Sequence, residues 1–318
     1  MLKTTEKTTK LFYKGNIEMY YLTHYFLEEI KATYKKLTYQ ERVSVSNKYI
    51  MPFFNNGQLV TDTVTISNVM SFKQYVYNLN LSISRKNLIF SVLRQILIFA
   101  EDREYLESNY AEKIIRMLKS IRKEKVLSKK IVFWTPEEFN LFINTFETKD
   151  RKWRYYFLLT YWGALRMGEV NALTWEDLNF QMNYVDINKS MDREGEINSP
   201  KNESSNDSVD LPTFLLVEFK QWKEEVKPDN ETDLLFFNNH RLGRTNIRTV
   251  MRRHINMCGV TPIKFHGLRH SMASRMINQG CNPLLVSKHL RHSSTQQTLD
   301  TYSHLFPNVT KGLMDRLV

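Results

Sequence analysis

Two arginines, three histidines and a tyrosine stand in the second half of this sequence among apolar neighbours. Phe157–Leu165 is almost wholly apolar, and Arg166-Met-Gly-Glu169 follows at once. An arginine there serves either a buried ion pair, here with Glu169, or the binding of an anion; taken alone, the ion pair is the simpler reading. Phe265-His266-Gly-Leu-Arg269-His270 opens a segment continued by Met272, Ala273, Met276 and Ile277. At helical spacing His266 and Arg269 are one turn apart and share a face. His292 lies in Leu290-Arg-His-Ser-Ser294, and Tyr302 follows ten residues later in Leu299-Asp-Thr-Tyr-Ser-His304. Each has an ordinary reading too: a lone histidine is usually a hydrogen-bonded core or surface residue, and a lone tyrosine is usually packing. His266 and His270 have the spacing of a helical metal pair. That arrangement needs a glutamate between the two, and an arginine in the site would repel the cation, so a metal site is rejected.

The elements that must position these residues are mostly helical. In the first half, Phe26, Leu27, Ile30, Tyr34 and Leu37 fall at three- and four-residue spacings from Tyr21 on. A second helix is expected over Gln40–Met51, stopped by Pro52. Ile66–Leu79 reads as a third, with Val69, Phe72, Val76 and Leu79 on one face. Ser84–Glu101 is the clearest, striped by Leu88, Val92, Ile96 and Phe99. A last helix is expected over about Ala111–Lys123. Lys113, Arg116, Lys119, Arg122 and Lys123 recur along it at near-helical spacing, and Lys125, Lys129 and Lys130 extend the charge. The run is either a solvated face or a phosphate-facing stripe leading into a basic linker. The second half opens on Thr135-Pro136-Glu137-Glu138, a strong helix start. Helices are expected at about 136–147 and 151–162, with a further cap in Thr174–Asp177. Asn183–Ile187, Glu196–Pro200 and Ser208–Leu211 read as one small antiparallel sheet. After Pro212 the pattern is helical to the end.

Bulk composition narrows the partners. The 318 residues suffice for two domains of ordinary size. A net charge of +11 points to a polyanion, because each Lys or Arg set on a phosphate releases a counterion. The longest apolar stretch is too short to span a bilayer, and the charged start resembles no signal peptide. Two cysteines give neither a disulfide framework nor a zinc spacing, so a reducing, cytoplasmic setting is expected, with the protein on the nucleoid when it holds DNA.

Arg166, His266-x-x-Arg269, His292 and Tyr302, in that order and at these separations, resemble the tyrosine recombinase, or phage integrase, family. The flanking Gly-Ala-Leu-Arg-Met-Gly-Glu, His-Gly-Leu-Arg-His, Leu-x-His-Ser-Ser and Thr-x-x-Tyr-Ser-His agree, over roughly residues 133–306. Residues 20–120 resemble, more weakly, the family's helical core-binding domain. The resemblance implies a mainly α chain with a small antiparallel sheet in its C-terminal domain, built as a two-domain DNA clamp. Its parts would be an N-terminal tail (1–18), a SAM-like core-binding domain (19–123), a basic linker (124–132) and a catalytic domain (133–318). It implies Tyr302 as nucleophile, forming a 3′-phosphotyrosine. Arg166, Arg269 and His292 would hold the phosphate oxygens, and His266 would accept or relay the nucleophile's proton. Lys201, in the hairpin segment, would protonate the 5′-oxygen. Glu169 and His270 would support the site. The guanidinium forks fit phosphate oxygens, and preorganised donors at developing charge are often the largest catalytic contribution. No metal or cofactor is expected, and the covalent link conserves bond energy so that resealing needs no ATP. The partners implied are double-stranded attachment-site DNA, three further copies in a tetramer passing through a Holliday junction, and accessory directionality or DNA-bending proteins, with no membrane. The tail from Ser303 would pack on a neighbouring subunit or close its own domain.

Two positions depart from the family's usual pattern. Asp207 stands where a basic residue commonly follows the lysine, and would pair with Lys201 or face solvent. Arg291 stands where glycine is usual, and would be strained if the site needs a positive φ, or else would add a phosphate contact. Rival readings keep part of this: a type IB topoisomerase-like enzyme with the same residues, a DNA-binding regulator with an idle site, or a general nucleic-acid binder explained by charge alone.

Overall fold

The computed structural model describes residues 18–55, 64–106, 112, 113, 115, 116, 118, 132–192, 194–198, 207–237 and 244–306. The chain divides into two units, residues 1–127 and 128–318.

In the first unit α1 spans Met19–Thr33, α2 Lys36–Val45, α3 Met51–Asn55, α4 Ile66–Asn78 and α5 Ile83–Asp102. The Thr65 hydroxyl accepts from Asn68 N at 3.1 Å and caps α4, and Ser82 caps α5 through Arg85 N at 3.2 Å. The expected stripes are the core: Phe26, Val69, Phe72, Val76, Val92 and Ile96 are buried together. Three boundaries differ from the sequence pattern, the first being that α2 begins at Lys36, four residues before the expected Gln40. Tyr34 is extended and ends α1 short of Leu37. Pro52 does not stop its helix. A single π turn, Ser46–Ile50, precedes it, and Met51 N donates back to Ser46 O. Pro52 then falls in the first turn of α3, where a missing N–H costs little.

In the second unit α6 spans Pro136–Ile143, α7 Arg151–Trp162 and α8 Met167–Ala172. Thr135 and Glu138 close a reciprocal capping box on α6. That helix ends four residues before the expected 147, where the Thr145 hydroxyl turns back to Phe142 O at 2.6 Å. Strands β1 (Leu178–Asn179), β2 (Tyr184–Ile187) and β5 (Asp207–Asp210) form an antiparallel sheet in the order β1-β2-β5, with Val185 opposite Val209. The strand expected over 196–200 is not part of it. Its described part, β4 (Ile197–Asn198), pairs with β3 (Ser190–Met191) as a separate two-stranded hairpin. Then follow α9 (Thr213–Val226), α10 (Arg244–Cys258), α11 (Gly267–Asn278), α12 (Pro283–Leu290) and α13 (Thr295–Tyr302). The architecture is mainly helical with small antiparallel sheets. Its core joins Tyr156, Phe157, Tyr161, Trp175, Phe219, Leu268 and Leu290. Trp134 ties the start of this unit to α11, its backbone N–H donating to Ser271 Oγ at 2.8 Å. No helix of the described residues is long and apolar enough to cross a membrane.

Candidate active site

The apolar run of α7 ends in a turn that serves the site. Ala164 takes a left-handed backbone, φ 48°, and its carbonyl accepts from Arg269 Nη1 at 2.7 Å. Arg269, in the first turn of α11, also donates to Leu290 O and is 2% exposed. Burial, reinforced by Arg166 and Arg291, lowers its pKa to about 9, so it stays charged at neutral pH. Arg166 lies just ahead of α8. Its Nη1 donates to Glu169 Oε1 at 2.7 Å and its backbone N–H to Oε2 at 2.8 Å, leaving the side chain 38% exposed. The ion pair expected from the sequence is there, yet the guanidinium keeps a solvent-facing side.

Glu169 holds a second arginine. Arg291 Nη2 donates to Glu169 Oε2 at 2.7 Å. Arg291 closes α12 in the left-handed region, φ 51°, where the family's usual glycine would sit without strain. Its side chain is fully buried, so it is no direct phosphate contact, contrary to one of the two expectations for it. Asp207, half-buried at the start of β5, accepts from Ser208 N at 2.9 Å.

The histidines differ in exposure and partners. His266, just before α11, is exposed, with its pKa lowered by desolvation and by Arg269 and Arg166. The ring of His270 meets it edge to face, centroids 4.8 Å apart. His270 Nδ1 lies 2.6 Å from Tyr302 Oη, and burial lowers its pKa to about 4. His292 Nδ1 lies 2.8 Å from the buried Thr298 Oγ1, and its pKa is also lowered to about 4, by burial and then by Arg269 and Arg166. Tyr302, the last residue of α13, is 1% exposed, and burial pushes its phenol up to about 12 against the pull of Arg269. The site thus gathers two arginines, three imidazoles and a phenol within electrostatic reach of one another. Such a set can hold an anion and move a proton from the phenol.

A model of the phage integrase family matches residues 133–308. The chain belongs to this family. Relatives of this recombinase include the ICEBs1 integrase of Bacillus subtilis (strain 168), 25% identical over 304 residues, 92% of this chain and 80% of that one. Transposase A from transposon Tn554 of Staphylococcus aureus is 29% identical over 205 residues, 60% of this chain and 53% of that one. Among solved structures, the Tn1549 transposon integrase in complex with transposon right end DNA superposes with a TM-score of 0.70 at 18% identity, covering 93% of this chain and 99% of that one. A lambda integrase tetramer bound to a Holliday junction gives a TM-score of 0.60 at 14% identity, covering 92% and 83%.

Several sequence-derived positions fall elsewhere. Lys201 lies outside the described residues, as do Lys119, Arg122, Lys123, Lys125, Lys129 and Lys130. Lys113 and Arg116 are exposed, and Arg116 pairs with Glu112 at 2.5 Å, as on a solvated helix face. Leu305 and Phe306 pack against the core of their own unit. The described residues of the first unit also hold two groupings of basic side chains about tyrosines, which the sequence pattern did not show. Lys48 and Arg85 both sit over the Tyr49 ring, 5.6 Å from its centroid, and Lys73 and Lys86 flank Tyr77. The residues come from the π turn, α4 and α5, and no single helical stripe links them.

Proposed function

We propose that this protein is the integrase of a mobile element, cutting and rejoining duplex DNA at specific sites through a 3′-phosphotyrosine at Tyr302. The observation that carries the reading is the convergence of Arg166, Arg269, His292 and the His266–His270 pair on Tyr302 from loops and helices far apart in sequence. Arg166 presents its open side to one non-bridging oxygen, and Arg269 supplies a fixed positive charge behind it. Neutral His292, its Nδ1 engaged by Thr298, has Nε2 free to donate to the phosphate as charge develops. The Tyr302 proton leaves toward the His266–His270 pair. Lys201 protonates the departing 5′-oxygen. Two units would clamp the duplex, with the basic side chains Lys48, Lys73, Arg85 and Lys86 and the run from Lys113 to Lys130 on the phosphates. Four copies would assemble on paired sites and pass through a Holliday junction, in the cytoplasm with the nucleoid, aided by directionality or bending proteins.

A suicide DNA substrate, nicked near the cleavage point and carrying the element's own end, tests this. With EDTA present, wild type is expected to give a protein–DNA band on a denaturing gel and Tyr302→Phe none. Tight binding without any band would leave a DNA-binding regulator. A band without synapsis of two sites would leave a topoisomerase-like enzyme.

A further inference from the structure

Tyr302 must lose a proton to attack, and among the described residues one partner stands at hydrogen-bond distance. We propose that His270 is the group that takes this proton during strand cleavage and returns it during rejoining, with Tyr302 as nucleophile as argued above. His270 touches the reacting oxygen itself, Nδ1 to Oη at 2.6 Å, whereas His266 touches His270.

The surroundings suit an acceptor. From α11 it faces His266 and Arg269, from α13 Tyr302, and His292 lies within electrostatic reach. Burial, with His266 and Arg269 beside it, keeps the imidazole neutral, so a lone pair is available for the phenol's hydrogen. The same surroundings also keep it a weak base while the site is empty. A phosphate anion beside Arg166 and Arg269 screens the Arg269 charge, and the imidazole's basicity rises as DNA arrives. The proton transfer is coupled to bond formation. As Oη bonds to phosphorus, the P–O5′ bond breaks, the phenolic proton passes to Nδ1, and the leaving oxygen takes a proton from Lys201. In rejoining, the 5′-hydroxyl attacks phosphorus and gives its proton back to Lys201, the Oη–P bond breaks, and the His270 proton returns to Oη. No free tyrosinate forms, which matters because burial makes that anion costly.

The test follows single-turnover adduct formation on the suicide substrate, with tyrosine or a more acidic fluorinated tyrosine at 302. His270→Asn keeps a hydrogen-bond acceptor near Oη but cannot hold the proton. It is expected to slow adduct formation by roughly 10²–10⁴-fold, the usual span for a proton-transfer group, with DNA affinity kept. The fluorinated phenol is expected to speed this variant at least tenfold more than it speeds wild type. His266→Asn, tested alike, should lose less and regain less. Nitrogen-15 NMR of the wild-type imidazoles gives a readout that needs no variant: His270 should carry its proton on Nε2. The proposal is overturned if His270→Asn cleaves at the wild-type rate, if acidifying the phenol rescues His266→Asn instead, or if His270 is protonated on Nδ1. Absence of any adduct with wild type would instead sink the nucleophile assignment on which it rests.

Discussion

Arg291 reaches back 122 residues to Glu169, its Nη2 on Oε2 at 2.7 Å, from a left-handed backbone of φ 51°. Glu169 in turn grips Arg166 with its other oxygen, at 2.7 Å. One buried carboxylate therefore fixes a partly exposed arginine and a fully buried one. Burial alone would raise the Glu169 carboxyl, but Arg291 and Arg166 outweigh it and hold it below the ordinary carboxylate range. Two strained residues, Ala164 and Arg291, border this site, a place where backbone strain is commonly retained for function.

Arg291→Gly should destabilise the second unit despite relieving its backbone. Breaking a buried pair by removing one partner costs about 3–5 kcal/mol, and a left-handed non-glycine residue costs about 1–3 kcal/mol. The net loss is about 2 kcal/mol, a fall in Tm of roughly 4–8 °C for a unit of this size. All five tryptophans lie between residues 134 and 222, so their fluorescence follows this unit alone. Adding Glu169→Gln should cost less in the Arg291→Gly background than in wild type, because the two residues share one interaction. Additive losses would show that the pair contributes nothing.

Stability should also fall with acid before the carboxylates titrate. His270, His289 and His292 have pKa values lowered to about 4, each mainly by burial. Between pH 6.5 and 4 the unfolded chain binds protons that these folded imidazoles refuse, so stability rises with pH across that window. It is complete above 6.5 and lost progressively below. The Glu169 contribution, from a depressed carboxyl, is lost only lower, as pH falls through its folded value. The urea midpoint read by tryptophan fluorescence should drop from pH 7 to pH 5, with about three protons taken up on unfolding from these groups. A flat midpoint would mean that the imidazoles are as accessible folded as unfolded.

Local rules carried much of this from the sequence. The Thr135–Glu138 box starts a helix where expected, and the stripes of α4 and α5 bury as read, because caps and periodicity are decided within one turn. The candidate site residues stand out in the sequence through their order and spacing. What escaped depends on contacts distant in sequence. Pro52 continues its helix because a π turn precedes it, and nothing in the composition announces that widened turn. The pairing of Ile197–Asn198 with Ser190–Met191 is a choice of partner, which strand propensity cannot make. Arg291 and Glu169 meet only through the fold. So do His270 and Tyr302, 32 residues apart, although His270 lies one helical turn beyond His266 on the same face.

Thr298→Val should slow cleavage while binding holds. The Thr298 hydroxyl is the partner of His292 Nδ1 at 2.8 Å and is fully buried, so it fixes the orientation of the imidazole proposed to hold the phosphate. Losing one such bond costs about 1–1.5 kcal/mol, close to tenfold in rate. Thr298→Ser keeps the hydroxyl and should keep most activity. Equal rates for the valine and serine variants in single-turnover adduct formation would remove Thr298 from the site.

Gly168→Ala should act through the hairpin and not through the arginines. A Cβ at Gly168 would lie 2.5 Å from Ser190 Oγ and 2.8 Å from Met191 O. The serine hydroxyl can rotate away, but the carbonyl is backbone, so β3 must move off α8. That strand pairs with β4, and Lys201 follows Asn198 by three residues. Displacing the hairpin shifts the proposed acid while Arg166, held by Glu169, stays in place. Adduct formation should fall, with DNA affinity nearly unchanged, and Ser190→Gly should not restore it. A substrate with sulfur in place of the 5′-bridging oxygen settles the cause. A thiolate, its thiol pKa about 8.5, leaves without help from an acid. On that substrate Gly168→Ala should cleave nearly as fast as wild type. An equal deficit on both substrates would place the damage at Arg166 and its neighbours and dissociate the hairpin from proton donation.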